Sequence, residues 1–386
     1  MDRIVQLTEE QYLEAIKLSQ YAFQYVVPEE KIAKRLEMLK SHHISAIFEE
    51  KQLAAKLHLI TFNVFIGHKK WKMGGIAGVA TYPEYRRKGY VKDLMQHSLE
   101  HMKREGCHVS MLHPFKISFY RKYGWELLTN RLKCTMAKSD LVKQDSVAGT
   151  INRTIENHPY KDLNEIYTQY ASRYAGMLVR ENAWWETIGS DLVASIYYDE
   201  KKLPLGYLLY SIKDSKMGVE EFVALNGEAR RGLWNFICQH DSMVDTVEIS
   251  LHEKDPLIYS LEEPNIKSEL SPYFMVRIVD AEKFLQEYDF EEYGEEVTIQ
   301  VTDTNAPWNE QTFSIRNGEA TVLSEEEIKG KGNIIKMSIN SLSTILFGYK
   351  RPSELYELQW IKGKKEEIQK LEQMIPTYSS FFCDFF

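Results

Sequence analysis

Ala77-Gly-Val-Ala-Thr-Tyr-Pro-Glu-Tyr-Arg-Arg-Lys-Gly-Tyr-Val91 is the stretch on which the fold of this 386-residue chain turns. Small and β-branched residues from Ala77 to Thr81 predict a strand that something approaches closely. Pro83 ends it, and Arg86, Arg87 and Lys88 form a basic turn. Gly89 then opens a helix with Val91, Leu94 and Met95 on one face. The first-turn N–H groups of a helix have no partners within it, and its dipole favours negative charge there. Glycine lets a ligand approach the backbone. The arrangement suits a pyrophosphate, and by itself it equally describes a solvated basic turn.

The residues that follow narrow the choice. A helix over about 89–105 leads to a strand at His108–Leu112 and then to Phe119-Tyr-Arg-Lys-Tyr-Gly-Trp125. This order resembles the GNAT family of acetyl-CoA-dependent N-acetyltransferases. The family's pyrophosphate loop, Arg/Gln-x-x-Gly-x-Gly/Ala, corresponds to Arg86-Arg-Lys-Gly89-Tyr-Val91, with valine in the last small-residue place. Its later Phe-Tyr-x-x-x-Gly element corresponds to Phe119-Tyr120-Arg-Lys-Tyr-Gly124. The separation of about 30 residues is what an intervening helix and strand require. The resemblance implies that acetyl-CoA, a co-substrate, lies along Val79, Ala80 and Thr81. Its phosphates would meet Arg86, Arg87, Lys88, Gly89, Tyr90 and Val91.

The chain is long enough for two or three domains, and its 44% apolar and 27% charged residues are those of an ordinary globular protein. No apolar run reaches the roughly 20 residues that span a bilayer, and the N-terminus lacks signal-peptide character. Cys107, Cys134, Cys238 and Cys383 are scattered without metal-ligand spacing, as expected of reduced thiols in a cytoplasmic protein with no metal. Net charge is −8, divided as +8 over residues 1–140 and −16 over the rest. That division suits an anionic cofactor at one end and a cationic, amine-bearing acceptor at the other, or charge pairing between domains. The basic residues are interspersed with glutamate, which argues against a nucleic-acid partner.

Residues 1–145 predict a mixed α/β module. Thr8-Glu-Glu-Gln11 is a capping box before one helix, and strands at 44–48, 53–65, 70–81 and 125–136 build the sheet. Residues 146–272 resemble a second copy. Ile47–Leu53 aligns with Tyr197–Leu203, Arg87–His97 with Arg230–His240, and Ser110–His113 with Ile249–His252. Ala229 then stands in the place of Arg86 and Glu263 in that of Gly124, so a single cofactor site is expected. Trp184, Trp185 and Trp234 are expected in the core. The composition changes after Pro272. An apolar strand, Tyr273–Val279, opens an α+β third domain with a helix at 280–288, antiparallel strands around Asn317-Gly318, and a short helix at 340–347. Two tandem GNAT folds followed by such a domain resemble the enhanced-intracellular-survival (Eis) acetyltransferases, whose third domain is similar to sterol carrier protein. The resemblance implies a homo-oligomer, a hexamer.

Acetyl transfer to an amine requires loss of the ammonium proton, donors for the carbonyl oxygen, and a proton for the departing thiolate. Tyr120 is the candidate general acid, its alternative being a core tyrosine beside Phe119. A backbone N–H near Val79–Thr81 is the candidate oxyanion donor. For the base, the resemblance assigns the C-terminal carboxylate, here that of Phe386. Enclosure by Phe381, Phe382 and Phe385 would strengthen such a base. Asp384 is a carboxylate available to an acceptor ammonium. A non-catalytic protein holding an apolar ligand in the third domain is the competing reading.

Overall fold

The computed structural model describes residues 3–156, 158–188 and 192–386. Its first module contains β1 (Ile4–Gln6), α1 (Tyr12–Phe23), α2 (Glu29–Leu39), β2 (His42–Glu49), β3 (Gln52–Ile66), β4 (Lys69–Thr81), α3 (Tyr90–Arg104), β5 (Val109–Leu112), α4 (Ile117–Arg121) and β6 (Glu126–Ala137). The second contains β7 (Thr150–Thr154), α5 (Tyr160–Ala171), β8 (Tyr174–Ala175), α6 (Asn182–Ile188), β9 (Val193–Tyr198), β10 (Pro204–Lys213), β11 (Lys216–Ala224), α7 (Gly227–Cys238), β12 (Thr246–Leu251) and β13 (Lys267–Ile278). The local chemistry matches these elements. Glu50 and Lys51 both take positive φ in the tight β2–β3 turn. On α3, Leu94, Met95, Leu99 and Met102 form one buried face.

The two modules share one sheet. Among the described residues its strand order is β1-β2-β3-β4-β5-β13-β6-β12-β11-β10-β9-β7. Each module's last strand is exchanged. β13, from the second, lies antiparallel between β5 and β6, and β6, from the first, lies antiparallel against β12. Outward from the β13–β6 pair the two halves mirror each other, each with one parallel contact, β4–β5 and β11–β12. The expected duplication is therefore present as topology.

Two expectations need correction. The strand after Gly124 was expected to close the first sheet, but β13 sits between it and β5. Tyr273–Val279 was expected to open the third domain, yet Tyr273–Ile278 is the second half of β13. Residues 267–272 are exposed and 273–278 buried. The composition change at Pro272 thus marks one strand passing from solvent into the interior.

The third domain contains α8 (Ala281–Glu287), β14 (Val297–Thr302), β15 (Thr312–Arg316), β16 (Glu319–Val322), α9 (Glu325–Lys329), β17 (Ile334–Ser338), α10 (Ile339–Leu346), α11 (Pro352–Glu357), β18 (Ile361–Lys362), α12 (Lys365–Met374) and β19 (Ser379–Ser380). Its sheet runs β16-β15-β14-β17-β18, with the expected hairpin at Asn317-Gly318 and the expected helix at α10. This domain and the central strands form one core, in which Met73, Met111, Phe274 and Val276 pack with Phe284, Ile339 and Leu342. Polar contacts pin α10 beneath that sheet. Ser343 Oγ accepts from Ile278 N at 2.9 Å, and Asn340 Nδ2 donates to the Trp125 carbonyl at 3.0 Å.

Arg277, on β13, ties the three parts together. It is fully buried, 2.5 Å from Asp303 of the third domain, and donates to the Tyr123 carbonyl of the first. A Cβ at Gly124 would overlap its guanidinium, so that glycine makes room for an arginine from another module. Removing one partner of a buried ion pair strands the other's charge. Arg277→Ala is therefore expected to lower stability by about 3–5 kcal/mol, read as a lower urea midpoint at pH 7. An unchanged midpoint would remove Arg277 from its linking role.

Candidate functional site

A cleft opens where β4 and β5 part. They pair only through Met73–Val109, Gly74–Ser110 and Gly75–Met111. Beyond Gly75, β4 continues to Thr81 paired with β3 alone. A bulge falls in this free stretch, where the register shifts opposite Lys56–His58 and Gly78 takes φ +54°. Bulge and missing neighbour together leave backbone groups of residues 76–81 without a ladder on one side. The segment containing Val79, Ala80 and Thr81 is that wall. Val79 packs on the α3 side and Ala80 on the α1 side, while the buried Thr81 hydroxyl has no hydrogen-bond partner among the described residues.

One end of the cleft meets the start of α3. Its N-cap is Gly89, at φ +86°, with no side chain capping the helix and open space where a Cβ would stand. Glycine is needed for this left-handed conformation, and its lack of a side chain leaves the first-turn N–H groups uncovered. Arg86, Arg87 and Lys88 are exposed before it, and Arg87 itself has φ +64°. Val91 is half-buried against the α3 core. Tyr90 points inward, donates to Glu49 and lies under the Arg3 guanidinium, 4.1 Å from the ring centroid. Only its backbone is free to meet a ligand. The residues present fit an anionic cofactor: uncovered donors, a glycine and three cations.

The second module has closed its equivalent. α7 is capped by Asn226, whose side-chain oxygen accepts from Ala229 N at 2.8 Å. Glu228 adds negative charge in the first turn and accepts from the Tyr197 hydroxyl at 2.7 Å. Arg230 lies 3.6 Å from Asp255. The alignment that placed Gly232 opposite Gly89 is displaced, because Gly232 sits inside α7 against the Tyr197 ring. In the structure Asn226, as N-cap, occupies the place of Gly89. That one exchange covers the start of α7 and leaves the start of α3 open.

Tyr120, on α4, is 5% exposed and packs against the rings of Phe115 and Phe119. Its hydroxyl makes no hydrogen bond among the described residues. Burial pushes its pKa up to about 12, so it remains a neutral phenol at any ordinary pH.

At the apex, the chain's last residue is in place. The Phe386 ring lies over Gly75, where an added Cβ would come within 2.6 Å of Cε2. Phe62 and Phe274 flank that ring, at 4.9 Å and 5.2 Å between centroids. β19 holds the tail by pairing with β8, and Asp384 fixes it more deeply. Asp384 accepts from Arg180 Nε at 3.0 Å and Trp184 Nε1 at 2.7 Å, while its carbonyl accepts from the Tyr273 hydroxyl at 2.9 Å. Arg180 also binds Glu221. This corrects the expectation for Asp384: it is buried and committed to Arg180, so it is no partner for an acceptor. Trp185 and Trp234 are core residues, as expected, while Trp184 is a tail ligand.

Sequence reasoning missed Arg180 and a connected trio, the buried Lys56 and His58 with the half-buried His42. The signal for the trio was present as two polar residues at alternate positions in the apolar run Leu53-Ala-Ala-Lys-Leu-His-Leu-Ile60. Nothing in the sequence marked Arg180, because its partners lie about 40 and 200 residues away.

The chain is similar to known proteins in its domains and fold. Family models for the acetyltransferase (GNAT) domain match residues 3–128 and 176–278, and one for the sterol carrier protein domain matches 281–383. The chain is 23% identical over 205 residues to the N-acetyltransferase Eis of Mycobacterium tuberculosis, spanning about half of each chain (50% and 51%). A conserved Enterococcus faecalis protein of unknown function superposes with a TM-score of 0.92 at 26% identity, covering 100% of this chain and 99% of its own. An Eis protein of Mycobacterium abscessus superposes with a TM-score of 0.84 at 18% identity, covering 99% and 100%. With two such domains sharing one sheet and a sterol carrier protein domain packed beneath it, the chain belongs to the acetyltransferase (GNAT) family and is Eis-like in its order of domains.

Proposed function

We propose that this protein transfers the acetyl group of acetyl-CoA to an amine of a small cationic acceptor, an aminoglycoside or another polyamine-like molecule. The observation that carries the reading is the seat of Phe386. The half-buried Phe386 ring lies over Gly75, at the apex of the cleft whose other end is the uncapped start of α3. Acetyl-CoA, when bound, supplies an acyl group activated as a thioester.

The protein's own groups supply the rest. Arg86, Arg87, Lys88 and the N–H groups of Gly89, Tyr90 and Val91 hold the phosphates. Val79, Ala80 and Thr81 line the acyl arm, and a backbone N–H among them binds the carbonyl oxygen. The carboxylate of Phe386 takes the proton from the acceptor ammonium, and the Tyr120 hydroxyl gives its proton to the departing sulfur. The acidic remainder of the chain draws a cationic acceptor towards the cleft. The protein would act in the cytoplasm, as a homo-oligomer of the hexameric kind implied by its family.

The competing reading, an apolar-ligand carrier, finds little room. The cavity between Phe290, Ile299, Leu342 and Leu371 of the third domain holds about 10 Å³, space for roughly one water molecule.

A tail extended by a few residues beyond Phe386 moves the carboxylate off its seat. Such a variant should melt with the wild type and lose about 100-fold or more in kcat, within the usual range for a general base. Full activity with the extension would exclude the carboxylate. Tyr120→Phe should cost about 100-fold in kcat with little change in KM, and an unchanged kcat would remove the phenol from the chemistry.

A further inference from the structure

Lys56 is wholly buried in β3, on the face covered by α1 and α2. Its cross-strand neighbours are the small apolar Ala46 and Ala80. Its Nζ lies 3.0 Å from the Gly78 carbonyl oxygen and 2.7 Å from His58 Nε2. His58 Nδ1 lies 3.1 Å from His42 Nδ1. The contacts are all satisfied with the amine neutral. A neutral amine has two N–H groups for its two acceptors, and His58 carries its proton on Nδ1 and donates to His42. Burial, reinforced by the Arg35 cation, lowers Lys56 to about 7, and burial lowers His42 to about 4. The neutral forms are thus accessible together.

A buried lysine is costly where an aliphatic side chain would pack as well. What this one does is hold the bulge of β4. At Gly78 the positive φ turns the carbonyl out of the ladder, and Lys56 meets it. Gly78 permits this approach, since a Cβ there would stand 3.2 Å from Nζ and 3.0 Å from the His58 ring. In a trans peptide the carbonyl and the next N–H point in opposite directions, so fixing the Gly78 oxygen fixes the Val79 N–H away from Lys56. A hydrogen bond to the carbonyl also polarises its peptide and strengthens the N–H as a donor.

We propose that Lys56 is a positioning residue for acyl transfer, holding the Gly78–Val79 peptide so that the Val79 N–H faces the cleft and binds the acetyl carbonyl oxygen. His58 and His42 keep the amine in place. The inference rests on the acetyltransferase reading above.

Two measurements on the full chain separate the two claims. Calorimetry with acetyl-CoA comes first, and a wild type that fails to bind overturns both. Isotope-edited infrared spectroscopy of bound, carbonyl-labelled acetyl-CoA then reads the donor directly. The wild type should shift the thioester carbonyl band to lower frequency than in solution. Lys56→Met, which fills the same space without a donor, should bind acetyl-CoA within about twofold, lose about half of that shift, and fall about tenfold in kcat, part of the cost of a full oxyanion donor. An undiminished shift with wild-type kcat in Lys56→Met overturns the proposal. A wild-type carbonyl band at its solution frequency also overturns it, and if Lys56→Met does not fold, Lys56→Gln, which keeps an N–H donor on a shorter arm, is read by the same two criteria.

Discussion

The insertion of β13 between β5 and β6 is the constraint on which the rest of the molecule depends. It fuses two modules into a single sheet, and it carries Arg277 into a buried pairing with Asp303 beneath the first module. It also occupies the far side of β5, leaving that short strand paired with β13 on one flank and with three residues of β4 on the other. The cleft is the remainder of β4 after that pairing ends. An architecture in which each module lends a strand to the other therefore fixes where the site opens, and the third domain buttresses the same strands from below.

Among the described residues the two halves of this pseudo-symmetric sheet differ at the start of the helix that follows β4 and β11. The difference reduces to helix capping. Where α3 begins, glycine leaves its N–H groups uncovered, and where α7 begins, the Asn226 side chain covers them. The second module instead secures the tail. Arg180, itself paired with Glu221, holds Asp384, two residues before Phe386, whose ring lies over Gly75. The second module thus anchors a tail whose last ring packs on a strand of the first.

Much of this was legible in the sequence because it is local. The strand–turn–glycine–helix of residues 77–91, the hairpin at Asn317-Gly318 and the order of the repeat are set by residues a few positions apart. What was missed is non-local or depends on facing. The composition change at Pro272 looked like a boundary, although it is one strand crossing from solvent to core. Asp384 looked free for a ligand because Arg180 is distant in sequence. Gly232 looked like a loop glycine, although it makes room for Tyr197 inside a helix. Lys56 stood out only as a polar residue in an apolar run, and its purpose depends on a bulge in the neighbouring strand.

The central claim is one working cleft per chain, formed by the first module and denied to the second by capping. Isothermal titration of the full chain with acetyl-CoA tests it most directly. The account predicts one molecule bound per chain, with affinity lost when Gly89→Asp places a carboxylate over the start of α3. Two molecules per chain, or binding unaffected by that substitution, would contradict it.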